Sequence, residues 1–188
     1  QISTSVVKYG TGSLAFDGTG DYLTSIATPN IELGSGDYTI ECWVNISAAA
    51  SYGTVIAKGP AGTVNSTFWS LEFAATSNSI SYFVYAANTG AYIISGTSNI
   101  KTSTWIHLAV CRNGNNTRLF VNGTQEGSTY TSSYTIGVGN SLYIGSSNID
   151  TTRTITGYID DLRITKGYAR YTTTFTPPTA AFSNTGPV

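Results

Sequence analysis

Apolar and polar residues alternate in short runs along this chain, and no run of useful length keeps the 3.6-residue spacing of an amphipathic helix. The clearest run is Tyr38 to Ile46, where Ile40, Cys42, Val44 and Ile46 fall on one face and Glu41, Trp43 and Asn45 on the other. Ser13 to Phe16 and Tyr22 to Ile26 flank Asp17-Gly18-Thr19-Gly20, a turn in which glycine accepts positive φ and aspartate bonds its own backbone. Gly53 to Ala57, Phe68 to Phe73, Ile80 to Tyr85 and the short Tyr92 to Ser95 read as further strands. Trp105 to Arg112 and Thr117 to Val121 form a hairpin over Asn113-Gly114-Asn115-Asn116, and Asn122-Gly123 marks a second turn. Ser141 to Ile144 and Gly157 to Thr165 close the series. The pattern predicts about a dozen strands and one helical turn near Lys166 to Tyr171, with no internal repeat at a fixed period.

Such spacing predicts an all-β, two-sheet antiparallel sandwich, and 188 residues supply one core of that kind rather than two. Residues 1–188 therefore read as a single domain with its core over 8–182. Thr176-Pro177-Pro178-Thr179 and the residues after it look like a linker. Gln1 to Val7 reads as a strand already under way and the chain contains no Met, so a piece cut from a longer polypeptide is expected.

Composition narrows the partners. Charged residues make up 10% of the chain, against about 25% in ordinary soluble domains, and Ser, Thr, Gly, Asn and Tyr take their place. That balance fits an extracellular or particle-surface protein. The nine basic residues are scattered and the net charge is −1, so the phosphate-neutralising patch of a nucleic-acid binder is missing. No apolar stretch approaches the length of a membrane span, so no membrane insertion is expected. His107 is the sole histidine and lies inside a strand, where a structural role outweighs membership of a nucleophile–His–acid triad.

Four segments, in order, carry a family resemblance. They are Ser13-Leu14-Ala15-Phe16-Asp17-Gly18-Thr19-Gly20-Asp21-Tyr22-Leu23; Tyr38-Thr39-Ile40-Glu41-Cys42-Trp43-Val44; Trp105 to Gly114 with Leu119-Phe120-Val121-Asn122-Gly123; and Gly157-Tyr158-Ile159-Asp160-Asp161-Leu162-Arg163-Ile164. Together they resemble the laminin-G-like/concanavalin A-like superfamily over residues 8–182. The resemblance implies a jelly-roll sandwich whose wrap protects its sheet edges. Arg163 to Tyr171 with Phe175-Thr176-Pro177-Pro178 is similar to the version of this domain found in phage tail and virion proteins, which implies a virion or other surface location.

The strands carrying Cys42 and Cys111 also resemble pentraxins, whose matching positions are bridged. That resemblance implies a disulfide between Cys42 and Cys111; two buried thiols are the alternative. Relatives hold a structural Ca²⁺ between their first and last segments, which makes Asp17, Asp21 and Asp160 the candidate ligands here. Asp160 shares strand parity with Leu162 and Ile164, and an inward carboxylate needs a partner or a metal. Turn capping by Asp17 and Asp21 is the competing reading.

Some relatives are glycosidases, which need two carboxyl groups a fixed distance apart. Only Glu32, Glu41, Glu72 and Glu126 are glutamates, and none has an acid two or four positions away. The chain is therefore read as non-catalytic, with a Glu41–Glu72 meeting across strands as the one pairing left open. Aromatic faces that pack on sugar C–H groups, beside amides that bond hydroxyls, are the chemistry of glycan recognition. Trp69, Tyr82, Tyr85 and Tyr92 with Asn88 make the candidate ligand patch. The expectation is a binding module that recognises a glycan or cell-surface polysaccharide. The alternative is a structural subunit that packs against other virion or surface proteins.

Overall fold

The computed structural model describes residues 1–49, 52–59, 68–74, 77–86, 89–137, 140–147 and 153–183, with the side chains of residues 48, 49, 74, 86 and 89–92 excepted. Its strands are β1 (Ile2–Ser3), β2 (Ser13–Asp17), β3 (Leu23–Ser25), β4 (Tyr38–Ala49), β5 (Tyr52–Lys58), β6 (Phe68–Ala74), β7 (Ser79–Ala86), β8 (Thr89–Asn99), β9 (Ile106–Asn113), β10 (Asn116–Val121), β11 (Thr124–Thr131), β12 (Leu142–Ile144) and β13 (Ile155–Lys166). Seven of them form a sheet in the order β1-β2-β13-β4-β9-β10-β11. The other six form a second sheet, β3-β12-β5-β6-β7-β8. Neighbours are antiparallel throughout.

Period-2 alternation places Ile40, Val44 and Ile46 of β4 and Leu108 and Val110 of β9 on one inner face. They face Trp69, Leu71 and Phe73 of β6 and Ile80, Tyr82 and Val84 of β7 across a single core. At one end of that core the hydroxyls of Tyr38 and Tyr82 lie 2.9 Å apart, and Tyr38 and Tyr134 3.0 Å apart. Thr117 joins Tyr134 at 2.6 Å, so each buried phenol finds a partner.

Two elements depart from the sequence reading. β11 is almost wholly polar, so hydrophobic alternation does not announce it. It extends the sheet as an edge strand, and its buried Glu126 accepts backbone N–H groups of Thr97 (2.7 Å) and Ser98 (3.2 Å) from β8 in the other sheet. The helical turn expected near Lys166 to Tyr171 is absent: β13 runs to Lys166, and the chain then bends into an irregular tail. A short 3₁₀ turn stands instead at Pro29–Ile31, capped by Thr28.

That tail crosses the outer face of the seven-stranded sheet. Phe175 N–H donates to Gly123 O at 2.9 Å, and a Cβ on Gly123 would sit 1.9 Å from Phe175 O, so only glycine permits the crossing. Tyr171 and Phe175 stack at 3.5 Å over Phe120, Ala109 and Cys111, a second apolar cluster outside the main core. Tyr9 OH donates to Pro178 O at 2.7 Å, and Phe182 N–H to Asp161 Oδ2 at 2.7 Å. The segment read as a linker is thus part of the packed domain as far as residue 183. β9 is buried on both faces for the same reason.

Candidate functional site

The turn between β2 and β3 is held from both sides. A positive φ at Gly18 (89°) tightens it, and a Cβ there would lie 2.4 Å from Thr156 Oγ1. Thr154 Oγ1 donates to Gly18 O at 2.6 Å, and Thr19 N–H to Asp17 Oδ1 at 2.7 Å. Asp17 N–H donates to Asp21 Oδ2 at 3.2 Å and closes the turn. One oxygen of each carboxylate is thereby used. Asp17 Oδ2 and Asp21 Oδ1 accept no hydrogen bond from any described residue.

These two aspartates line a groove of about 360 Å³ on the outer face of the seven-stranded sheet, beyond the tail. Gln1, Ala15, Ser47, Thr156 and Tyr158 line it with them. A second hollow of about 190 Å³ shares Phe16 and Asp21 and adds Tyr22 and Leu23. The Tyr22 ring is 51% exposed and leans on Tyr143 at 6.1 Å between centroids. The larger groove is in the range of small-ligand sites, about 300–1,000 Å³. The Tyr22 face in the smaller hollow and the acceptors and hydroxyls of the larger one adjoin at Asp21.

The aromatic patch expected from sequence does not form. Trp69 and Tyr82 are completely buried between the sheets, because their strand parity places them on the inner face. Tyr85 has the opposite parity and is half-buried on the outer face of the six-stranded sheet, paired with Phe68. The backbone of Tyr92 pairs with Phe83, while its side chain and all of Asn88 lie outside the described residues.

The three aspartates anticipated for calcium do not come together. Asp17 and Asp21 share the groove. Asp160 lies about 13 Å along the sheet at the rise of a strand, because Thr156 rather than Asp160 pairs with Asp17. Its carboxylate is spent on backbone N–H groups: Oδ2 accepts from Lys8 (2.8 Å) and Tyr9 (3.1 Å), and Oδ1 from Asp161 (2.8 Å). Nor does its parity survive. Asp160 pairs with Trp43 but Arg163 pairs with Glu41, so β13 holds one extra residue, with Asp161 at φ 48°. The bulge turns Asp160 to the outer face. No group of three or more His, Cys, Asp or Glu among the described residues is arranged for a metal, so the three anticipated aspartates do not form one site.

The cysteines are free thiols, which corrects the expected disulfide. Cys42 pairs with Leu108 and Cys111 with Thr39, three positions apart on the ladder. An odd offset places them on opposite faces: Cys42 in the core, and Cys111 under the tail with Thr39 Oγ1 at 3.4 Å. Burial holds the Cys42 thiol well above its ordinary value and pushes that of Cys111 up to about 12.

Glu41 and Glu72 face away from each other, on the outer faces of different sheets, so the one glutamate pairing left open does not form. Each has a local partner. Glu72 receives Ser70 Oγ–H (2.8 Å) and Arg153 (3.4 Å), whose guanidinium lies over Tyr52. Glu41 is wholly buried under the tail. Its Oε1 accepts from Arg163 Nε (2.9 Å) and Nη2 (2.7 Å), with Arg170 Nε at 3.6 Å. Its Oε2 accepts from Tyr171 OH (2.9 Å), and His107 Nε2 stands 3.4 Å away. Burial alone would raise the Glu41 pKa, but His107, Arg163 and Tyr171 outweigh it and hold the carboxyl below its ordinary value. His107 itself is walled by Trp43, Tyr171, Phe175 and Phe182, a structural strand histidine.

Comparison with solved structures finds the same sandwich repeatedly. Domain 4 of an extracellular arabinanase from Geobacillus stearothermophilus, solved with arabinotriose, superposes with a TM-score of 0.68 at 18% identity, covering 90% of this chain and 77% of that one. The carbohydrate-binding module of a Ruminococcus gnavus sialidase gives 0.61 at 10%, covering 81% and 88%. A heptameric pentraxin from Limulus polyphemus gives 0.58 at 16%, covering 81% and 74%. No curated protein matches the sequence. The sequence profile of the concanavalin A-like lectin/glucanases superfamily matches residues 17–170, from the turn at Asp17 into the tail; the chain belongs to that superfamily.

Proposed function

We propose that this chain is a non-catalytic carbohydrate-binding module of a cell-surface, secreted or virion protein, with its sugar site in the groove at Asp17, Asp21 and Tyr22. The observation that carries the reading is the exposed Tyr22 in a hollow that meets, at Asp21, a groove of ligand size where Asp17 and Asp21 each keep one carboxylate oxygen with no described partner. Sugars bind by laying C–H faces on aromatic rings while hydroxyls donate to fixed acceptors. Neighbours of the same fold support it: one was solved with arabinotriose and another is named a carbohydrate-binding module, in one structure bound to sialyllactose. Fold likeness at these identities concerns architecture, so the groove must carry the chemistry.

The test is a glycan array probed with the chain and with Tyr22→Ala. Binding to a defined glycan set that falls at least about tenfold in the variant is the expected result. Binding unchanged by the substitution would move the site elsewhere.

A second reading has its own observation. Ile2 (68% exposed), Leu23 (45%) and Ile26 (83%) crowd the same edge, where β1 and β3 end their sheets. Such an edge suits packing against other copies or other virion proteins. Sedimentation of the chain as a stable oligomer, weakened by Ile26→Asp, would favour that role.

A further inference from the structure

We infer that the groove accepts neutral, hydroxyl-rich glycans and rejects anionic ones, an inference that rests on the carbohydrate-binding reading above. A ligand lying on the exposed face of Tyr22 meets Asp21 and then Asp17. Each presents one carboxylate oxygen that accepts nothing from the described residues, and the turn that bears them is pinned by Thr154 and Thr156. A carboxylate is an acceptor only. Opposite it, a sugar hydroxyl forms a short charge-assisted bond, whereas a uronate, sulfate or sialate brings like charge.

The two carboxylates outnumber the one cationic group at hand, the terminal ammonium of Gln1, which lines both hollows and donates to Ala15 O at 3.1 Å. All nine lysines and arginines fall within the described residues, and none lines either hollow. Those on β13 and its flanks are committed elsewhere: Arg153 to Glu72, Arg163 and Arg170 to Glu41, and Lys166 to Pro29 O at 3.1 Å. Lys8, from the opening loop, lies 3.9 Å over the Trp43 ring. Ser47 and Thr156 add hydroxyls but no charge. The site is therefore an acceptor surface with an apolar platform, selective through the charge of its ligand.

The experiment is retention on immobilised neutral polysaccharides (arabinan, galactan, glucomannan) and anionic ones (polygalacturonate, heparin), in calcium and in chelator. The full chain, Asp21→Asn and Tyr22→Ala are compared, with thermal melts to show that each variant folds. The expected result is retention on at least one neutral polymer, insensitive to chelator, weakened about tenfold by Asp21→Asn and lost in Tyr22→Ala. Preferential retention on an anionic polymer, lost in Tyr22→Ala, would overturn the charge inference and leave the groove as the sugar site. Retention abolished by chelator would place a cation between carboxylate and sugar and overturn direct contact. Neutral binding that ignores both substitutions would overturn the groove. Retention on nothing would overturn the carbohydrate reading, and the inference with it.

Discussion

Glu41 shows what one residue can hold in place. Two arginines, a tyrosine and a histidine converge on a carboxylate with no exposure, and two of those four, Arg170 and Tyr171, belong to the tail. Removing one member of such a buried set strands the rest, at a cost of about 3–5 kcal/mol. Glu41→Ala is therefore expected to lower the urea midpoint sharply, whereas Ala at an exposed acid leaves it nearly unchanged. The pH dependence has a definite sign. The folded carboxyl has a pKa below that of the unfolded chain, so the folded state binds fewer protons. The stabilisation is complete above the unfolded value of about 4.3 and drains as pH falls through the folded one. Melting curves between pH 3 and 7 should fall more steeply on the acid side for the native chain than for Glu41→Gln; parallel curves would assign the acid sensitivity to another group. Residue parity in β4 is legible in the amino-acid sequence, since alternation separates Ile40 and Val44 from Glu41 and Trp43. Which outward residues meet water is not, because the tail that covers them arrives more than a hundred positions later. The same gap explains Trp69 and Tyr82: aromatic character marks a sugar platform and a core filler alike, and only sheet pairing sorts them.

Among elements, β13 departs most from a regular strand. Simple alternation misplaces Asp160 because it assumes an unbroken pleat, and Asp161 at positive φ breaks it. The bulge lets Asp160 reach the opening loop while Arg163 still reaches Glu41. Asp160→Ala would leave the N–H groups of Lys8, Tyr9 and Asp161 without their acceptor, at about 1–3 kcal/mol. The expected outcome is a destabilised chain with faster amide exchange at residues 8 and 9 and unaltered exchange in β6 and β7. Uniform acceleration would mean that the loop is not locally fastened. Most strands can be read from the chain within a residue or two, since their inner faces alternate. β11 cannot, because an edge strand held by Glu126 and backbone bonds needs no apolar stripe.

For the whole molecule, the seven-stranded sheet has a tail over one end of its outer face and an open groove at the other. The superfamily can be read from four ordered segments, but the groove cannot, since its walls come from β2, β4 and β13 at once. A chain ending at Lys166 would bare Ala109, Cys111, Phe120 and His107, and would lose the half-buried Tyr171 and Phe175 that pack on them. Such a truncation is expected to bind a hydrophobic dye and to melt without cooperativity; a sharp transition near that of the full chain would show that the tail is a passenger.

The position of β13 between β2 and β4 also dictates a schedule. On a ribosome, β4 is complete while its sheet neighbour is still about a hundred residues from being made. At about 5–20 residues per second, that leaves both flanking edges unsatisfied for about 5–20 seconds. The sheet can close only when β13 has emerged, a wait no local turn can shorten. Slow translation of the stretch between β4 and β13 would lengthen the exposure of those edges, and with it the opportunity for a neighbouring nascent chain to fill the gap.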